Sequence, residues 1–506
     1  MLIREVLEKA ALDWGEREAI VSESVSMSYV QLNKSANKIA QCLLSLGVQK
    51  GAKVAFMYPN NVEFVATLFA VYKAGAIGVP MNTRLAPEEI RFILEHSEAK
   101  ICLFDSMYLD RIECIMNELP PDFMYIQSRG ETEKGFINLE EYLSSASEAS
   151  PKMTCPDTEM IFFYTSGTTG NPKGVILDTE KFIDYTLDDK AFEFYPLTTE
   201  DRAYLSTPLF HISSAIFLLK VLNSGTCCYI TKDWKAERAL KLIQDACITF
   251  MWTVPTMLIL MQKHPKFGDF DLSCLRQIIV GGSQLHMDPI RIWKNAGPNL
   301  RISNGYAQTE TSATGSRLDD DFILKKPLSI GLPNYGIEMK IVDDEFSELP
   351  SSVIGEIAIK SPANMIGYYR NPELTAKTLR EEWCLTGDTG YVDEEGFFYY
   401  TGRKKDMIIR GGENIFPDEI EALINQHPSV LESAVIGISD PVMGEEVLAV
   451  VVLKPGAQIA PEKIISHCEE AIADYKVPKY VRMVQELPKT STQKIKKQVL
   501  REQFSV

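Results

Sequence analysis

The dipeptide Gly-Lys occurs nowhere in this 506-residue chain, so the phosphate loop G-x-x-x-x-G-K-[ST] is absent. G-x-G-x-x-G, G-x-S-x-G and H-E-x-x-H are missing too, which removes sequence support for Walker-type NTPases, dinucleotide dehydrogenases, serine hydrolases and zinc peptidases. Cysteine is sparse. There are ten, and the adjacent Cys227–Cys228, the one close pair, matches no metal-ligand spacing. The thiols are expected to be reduced and buried as small hydrophobes. No apolar run is long enough to span a bilayer: the longest, Phe250–Met261, falls short and contains Pro255. Met1–Ala10 mixes charged and apolar residues without the continuous core of a signal peptide, so a cytoplasmic protein with no integral membrane association is expected. Positive charge is in deficit. With 52 Lys+Arg against 69 Asp+Glu, the net −17 disfavours nucleic acid and anionic lipid as partners of the bulk surface.

What is present reads as a globular protein, 45% hydrophobic and 24% charged, long enough for two to four cores at roughly 100–200 residues each. The first 300 or so residues alternate helix and strand, which predicts an α/β fold with parallel sheets covered by helices. Ser28 with Gln31 forms a capping-box pattern ahead of Val30, Leu32, Ile39, Leu43 and Leu44, and Gly47 ends that helix. A strand is predicted at Val54–Met57, a helix over Val62–Lys73, a strand near Ile77–Val79 and a helix after Pro87. Further strands at Met160–Thr165, Ile248–Val254 and Gln277–Val280 have the continuous apolar character of strands buried on both faces. From about Ile330 short alternating strands take over, at Glu338–Val342, Glu356–Lys360 and Phe397–Thr401, as in a small β-rich subdomain. After Gly402 a compact α+β module of about a hundred residues is predicted. It has helices at Pro417–Gln426, Pro461–Ala473 and Gln493–Gln503, and strands at Ala434–Ile438, Val447–Leu453 and Tyr480–Val484.

One segment is hard to explain as packing. From Thr165 to Gly174, ten positions hold four hydroxyl residues (Thr165, Ser166, Thr168, Thr169), three glycines (Gly167, Gly170, Gly174) and Lys173. Glycines admit close backbone approach, hydroxyls and amides donate hydrogen bonds, and the lysine supplies charge, an inventory suited to polyphosphate. By composition alone a mobile surface loop suits it equally; its place directly after a buried strand favours the anion site.

Read as YTSGTTGNPKGV, this loop resembles the signature of the adenylate-forming superfamily of acyl-CoA synthetases, coumarate-CoA ligases, firefly luciferases and peptide-synthetase adenylation domains. Further segments resemble that family's motifs in its order: Pro208–His211, Gly281-Gly282-Ser283, Asn304–Glu310, Thr386-Gly387-Asp388, Gly402–Asp406 running on to Glu421, and Pro488–Lys494. Together they cover the chain from Thr165 to Lys494. The resemblance implies an N-terminal domain, residues 1–402, and a mobile C-terminal domain, residues 403–506. It also implies two half-reactions. A carboxylate attacks the α-phosphate of ATP to give an acyl-adenylate and pyrophosphate; a thiol, usually that of CoA, then displaces AMP.

On that resemblance, Thr165, Ser166, Gly167, Thr168, Thr169, Gly170 and Lys173 hold the β- and γ-phosphates. Thr309 and Glu310 contact the α-phosphate, and Glu310 coordinates Mg²⁺. Tyr306 stacks on adenine, with Gly282, Ser283, Gln284 and Asn304 at its edge and Gly305, Ala307 and Gln308 in the same motif. The alternative for Tyr306 is an aromatic packed at a strand end. Asp388 accepts the ribose hydroxyls with Arg403 reinforcing it. Lys494 is the catalytic cation of adenylation. It lies in the basic stretch Lys476–Val506, which carries eight Lys or Arg against two Glu. No role is assigned to Lys496, Lys497 or Arg501. Lys405 matches a hinge, after whose rotation Arg410, Gly411, Gly412 and Glu413 line the CoA channel. The family pattern is departed from at Ala307, at Gln493 and at Asp178-Thr179, none of which removes a group the chemistry needs.

Amino-acid-activating members carry an aspartate where His211 stands, and without it a substrate ammonium would be buried unpaired. The implied acyl pocket, near His211, Ile212, Trp252, Gly281 and Ala313, is mostly apolar, which favours a hydrophobic carboxylic acid. His211 is a candidate gate to that pocket, with a structural histidine as its alternative. Alternatives that stay open are a carrier-protein phosphopantetheine as acceptor, a crotonobetaine- or carnitine-type substrate, a luciferase-like oxygenase and an inactive nucleotide-binding protein. The expected state is a monomer or homodimer.

Overall fold

The computed structural model describes residues 1–23, 25–132, 135–151, 160–165, 172–283, 285, 287–297, 299–489 and 494–504. It is a large α/β body with mixed sheets and a smaller α+β domain. The chain divides into two compact units. Of the described residues, one unit comprises those within 1–165, 172–339 and 359–384; the other comprises those within 340–358 and 385–504.

In the first unit, helix Tyr29–Ser45 begins as its sequence dictates: Ser28 Oγ accepts from the Gln31 amide, and the Gln31 side chain accepts from the Ser28 amide. Helix Val62–Lys73 is capped by Asn61, whose side chain accepts from the Phe64 amide. It is apolar nearly all round because it is buried nearly all round. Strands Lys53–Met57, Ile77–Pro80, Ile101–Asp105 and Met124–Ser128 pair in parallel. Met57, Val79, Phe104 and Phe162 help form the core on one face of this sheet. A second sheet runs in parallel through Cys227–Ile230, Arg202–Leu205, Phe250–Thr253, Gln277–Gly281 and Arg301–Ala307. Its strand at Phe250 is shorter than predicted, since Val254 already serves as the N-cap of a helix that Pro255 opens.

The expectation of parallel sheets fails at two informative places. Strand Met160–Thr165 turns back into Lys173–Asp178, and Arg301–Ala307 turns back into Gly315–Leu318, both pairs antiparallel. Each reversal carries one of the loops to which chemistry was assigned.

Strands Glu338–Val342, Gly355–Lys360, Trp383–Val392 and Phe398–Arg403, most of whose residues belong to the second unit, follow one another as neighbours in a sheet. A separate sheet orders Glu413–Ile415, Ile408–Arg410, Gly444–Leu453 and Val430–Asp440, with Tyr480–Val484 parallel to Gly444–Leu453. Alternation puts Val447, Ala449 and Val451 on one face, packed with Ile420 of helix Pro417–Ile424 and Ile464 of helix Pro461–Glu469. Leu448 and Val450 face the other way onto Leu487 and Leu500. Leu500, 1% exposed, anchors the last helix, Lys497–Phe504, a burial that contributes roughly 1.5–3 kcal/mol. That helix starts later than the predicted Gln493, because the Lys496 amide donates to Pro488 O and Lys489 bridges Ile495. Lys494 therefore precedes the helix.

The cysteines are only partly buried. Cys42, Cys102, Cys228, Cys384 and Cys468 are, but Cys114 and Cys247 are exposed and Cys227 and Cys274 half-buried; all nine described cysteines are free thiols. Among the described residues no helix is long and apolar enough to cross a membrane.

Candidate active site

In the first unit, strands Met160–Thr165 and Lys173–Asp178 flank in sequence the segment expected to bind phosphate, with Thr165 directly opposite Lys173. Ser166, Gly167, Thr168, Thr169 and Gly170 lie outside the described residues, as do Gln284 and Gln493. Lys173 is half-buried and makes no ion pair among the described residues, its ammonium lying 5.6 Å from the ring centroid of Tyr368. A half-buried cation without a carboxylate partner suits a site that receives anionic ligand.

The second reversal holds the Asn304–Glu310 segment. Gly305 sits opposite Gly281 in the parallel ladder, and Tyr306 and Ala307 face Ser316 and Gly315 across the antiparallel one. Gly315 is required there, since a Cβ would lie 2.3 Å from Tyr306 O. Tyr306 is half-buried rather than lost in the core. Asn304 is 7% exposed, and its Oδ1 has no hydrogen-bond partner among the described residues, an acceptor of the kind an exocyclic amine satisfies. Gly282, at φ +88°, and Ser283 are exposed beyond the end of strand Gln277–Gly281. Carboxyl ends of strands are where α/β sheets bind ligands.

Thr309 and Glu310 follow Gln308 in a single 3₁₀ turn, Thr309–Thr311. The Ala313 amide donates to Gln308 O at 2.8 Å, with Ser312 and Ala313 both left-handed, and the Met365 amide donates to Glu310 O at 2.8 Å. Glu310 is half-buried. Its Oε1 accepts from the Tyr368 hydroxyl at 2.7 Å, while Oε2 meets no protein donor among the described residues. One free carboxylate oxygen suits a hard cation completed by phosphate oxygens and water. No group of three or more His, Cys, Asp or Glu could hold a metal unaided among those residues.

Of the acyl-pocket candidates, Trp252 and Gly281 are brought together: a Cβ on Gly281 would meet Trp252 Cη2 at 2.9 Å and Gly305 O at 2.8 Å. Trp252 also stacks on Phe217, centroids 4.6 Å apart. His211 is the N-cap residue of helix Ile212–Asn223 and lies 4.5 Å from the Phe210 ring, with Ile212 buried beside it.

In the second unit, strands Trp383–Val392 and Phe398–Arg403 place Arg403 opposite Asp388. Arg403 Nε lies 2.8 Å from Asp388 Oδ1, and the carboxylate is 3% exposed. The Asp388 turn is tied down by hydrogen bonds. Its own amide donates to Thr386 Oγ1 at 3.1 Å, and the Gly387 amide donates to Glu356 Oε1 at 2.9 Å. Lys404 pairs with Glu356 at 2.8 Å and Asp344 at 2.7 Å, whereas Lys405 is exposed. Gly411 and Gly412 form the two-residue connection of hairpin Ile408–Arg410/Glu413–Ile415, both at positive φ, as a tight hairpin turn requires. Glu413 is exposed there, and Arg410 makes a bidentate pair with buried Glu446 at 2.7 and 3.1 Å.

Lys494 is exposed just before the last helix. Lys497 and Arg501, which sequence reasoning left without roles, hold that helix in place. Lys497, 12% exposed, pairs with Glu421 at 2.7 Å and Asp418 at 3.4 Å, and Arg501 pairs with Asp406 at 3.1 Å. Burial pushes the Glu421 carboxyl up to about 7 against the pull of Lys497. Lys497→Met is expected to destabilise this unit by about 3–5 kcal/mol, because it strands two acids in low-dielectric surroundings. Denaturant unfolding followed by a probe in residues 403–506 checks it, and an unchanged midpoint would show the pair to be dispensable.

Residues 7–369 match the AMP-binding enzyme family, and residues 419–494 match the AMP-binding enzyme C-terminal domain. The chain belongs to the AMP-binding, adenylate-forming enzyme family. It is similar to the long-chain-fatty-acid–CoA ligase FadD13 of Mycobacterium tuberculosis, 34% identical over 485 residues covering 96% of this chain and 94% of the relative. The fatty acid–(acyl-carrier-protein) ligase ScoC of Streptomyces coeruleorubidus is 32% identical over 496 residues, 96% of this chain and 93% of the relative. The solved structure of the anthranilate CoA ligase AuaEII in complex with anthranoyl-AMP matches with a TM-score of 0.91 at 28% identity, covering 100% of this chain and 97% of that one. Membership makes this chain an acyl-adenylate-forming ligase of the AMP-binding family.

Within that family one local departure acquires a physical account. Asp178 is the N-cap of helix Thr179–Leu187, its carboxylate accepting from the Glu180 and Lys181 amides. Tyr368 was not singled out from sequence. A tyrosine in Gly-Tyr-Tyr-Arg carries no chemical signal until the fold sets it beside Glu310.

Proposed function

We propose that the chain is an AMP-forming acid–thiol ligase that activates a hydrophobic carboxylic acid with ATP and transfers the acyl group to CoA. The observation that supports this most is the Asn304–Glu310 reversal, which joins a half-buried aromatic, the Asn304 acceptor and a Glu310 carboxylate oxygen, neither of the latter two with a donor among the described residues. Adenylation needs no general base, because the attacking carboxylate is already ionised. It needs position and charge neutralisation at the α-phosphate and the leaving pyrophosphate. Lys173 and the loop from Thr165 would supply these at the β- and γ-phosphates, Thr309 at the α-phosphate, and Lys494 at both the carboxylate and the α-phosphate. Mg²⁺ fits the free oxygen of Glu310 and would neutralise phosphate charge when bound. Asp388, steadied by Arg403, would hold the ribose. Rotation at Lys405 would exchange Lys494 for the Arg410–Glu413 hairpin in the thiol step.

The apolar surroundings of two residues implied for the acyl pocket, Trp252 stacked on Phe217 and Ile212 buried, support a hydrophobic acid. CoA as acceptor is supported by the similarity to FadD13 and AuaEII, both CoA ligases by name. The carrier-protein reading is kept alive by ScoC. Mass spectrometry of acyl transfer, with ATP, a panel of fatty and aromatic acids and either CoA or a phosphopantetheinylated carrier, separates the two. Acyl-CoA is the expected product, and transfer to the carrier alone would overturn the CoA assignment.

A further inference from the structure

Tyr368 touches two charged groups that have no other side-chain partner among the described residues. Its hydroxyl donates to Glu310 Oε1 at 2.7 Å, and its ring lies under the Lys173 ammonium at 5.6 Å. The side chain is 9% exposed, and its backbone is held independently of either contact. Strand Gly367–Tyr368 pairs antiparallel with Lys173–Asp178, placing Tyr368 opposite Val175. The Ile366 amide donates to Ile176 O and the Tyr369 amide to Gly174 O, each at 2.8 Å. The Tyr368 amide donates to Thr375 Oγ1 at 2.9 Å, and at Gly367 even a methyl would lie 2.8 Å from Thr375 Cγ2. The ring is therefore built into the sheet that carries the phosphate-loop lysine, and it reaches the acid turn from there.

We infer that Tyr368 is a positioning residue of adenylation, one that sets the metal-binding acid and the phosphate-binding lysine before nucleotide arrives. The phenol occupies one oxygen of Glu310 and leaves the other to the cation that Glu310 would hold. It also supplies a donor that keeps the carboxylate satisfied while no cation is bound. The ring face holds Lys173 without using an anionic partner, so no carboxylate of the described residues competes with phosphate for that ammonium. A glutamate there would neutralise Lys173, and an aliphatic residue would leave Glu310 free to rotate. The inference rests on the nucleotide roles proposed for Glu310 and Lys173.

The test uses the full-length protein, equilibrium binding of ATP by calorimetry over a range of Mg²⁺ concentrations, and pyrophosphate exchange. Tyr368→Phe keeps the ring and deletes the hydroxyl. It is expected to raise the Mg²⁺ concentration for half-maximal ATP affinity by roughly 10–100-fold, as loss of one charge-assisted hydrogen bond implies. ATP binding without metal should stay within about twofold, because Lys173 keeps its ring. Tyr368→Leu should show the same Mg²⁺ shift and, in addition, about 2–5-fold weaker metal-free binding. Thermal unfolding of Tyr368→Phe reports whether the fold persists. Equal weakening with and without Mg²⁺, or no change in either, overturns the positioning role. Glu310→Gln is the control for the reading beneath it. If that variant keeps the wild-type Mg²⁺ dependence, the metal role of Glu310 falls and the inference with it. If it alters that dependence while Tyr368→Phe does not, only the inference falls.

Discussion

Lys494→Ala is expected to lower acid-dependent pyrophosphate exchange by about 10²–10³-fold or more, the scale seen when one group stabilising transition-state charge is removed. Thioester formation from preformed acyl-adenylate and CoA should stay within a few-fold of wild type. The asymmetry follows from where charge develops. In adenylation, negative charge builds on the α-phosphate oxygens while a carboxylate approaches them, and a cation between the two is most effective in the transition state. In thiolysis AMP already carries its charge and departs with it. Lys494 suits the first step in its placement: it is exposed, and the chain on its C-terminal side is fixed by Leu500, by Lys497 on Glu421 and Asp418, and by Arg501 on Asp406. An equal loss in both half-reactions would show that the lysine serves folding or general binding instead.

Asp388→Ala should behave differently. The ribose is common to ATP, acyl-adenylate and AMP, so a group that holds it contributes to both half-reactions. If the carboxylate accepts both ribose hydroxyls as proposed, its removal costs about 1.5–3 kcal/mol for each of the two charge-assisted hydrogen bonds, or about 10²–10⁴-fold in kcat/KM for ATP and for acyl-adenylate alike. Arg403, 2.8 Å from that carboxylate, would be left without the partner that orients it. The comparison of the two variants is the sharper result: one loses a single half-reaction, the other loses both. A large effect of Asp388→Ala on ATP with none on acyl-adenylate would contradict the ribose assignment.

Local signals in the sequence translated directly into structure where the deciding interaction is local. The Ser28/Gln31 box starts its helix, Val62–Lys73 is helical over the residues predicted, and Pro255 and Pro417 sit at the first helical position. The two antiparallel reversals escaped the reading because a strand buried on both faces looks the same in parallel and antiparallel company. Register and direction are properties of the pair, and Met160–Thr165 has one neighbour of each kind. The late start of the last helix escaped for a similar reason. Its onset is set by a bridge from Lys489 to Ile495, not by the periodicity of Lys497–Phe504.

The candidate site divides along the same line. Glycines, hydroxyls and charges in contiguous motifs were legible, because the chemistry demands those residue types close together in the chain. Tyr368 lies 58 residues from Glu310 in the sequence, and Lys497 lies 79 from Asp418. Pairings of that separation leave no pattern in a single sequence. The basic C-terminal stretch shows why composition alone misleads: Lys497 and Arg501 are committed to structural ion pairs, and Lys494 is the exposed lysine that the family motif singles out. The net charge of −17 is accordingly no bar to a polyanionic ligand, because single cations such as Lys173 can be placed at a site whatever the sign of the bulk surface.

The central claim is that this chain makes an acyl-adenylate from a hydrophobic acid before any thiol takes part. ATP–pyrophosphate exchange without CoA, run across fatty and aromatic acids, tests it most directly. Label is expected to pass from pyrophosphate into ATP only when a hydrophobic acid and Mg²⁺ are both present. Exchange that is independent of the acid, or ATP consumed to ADP and phosphate without exchange, would contradict it.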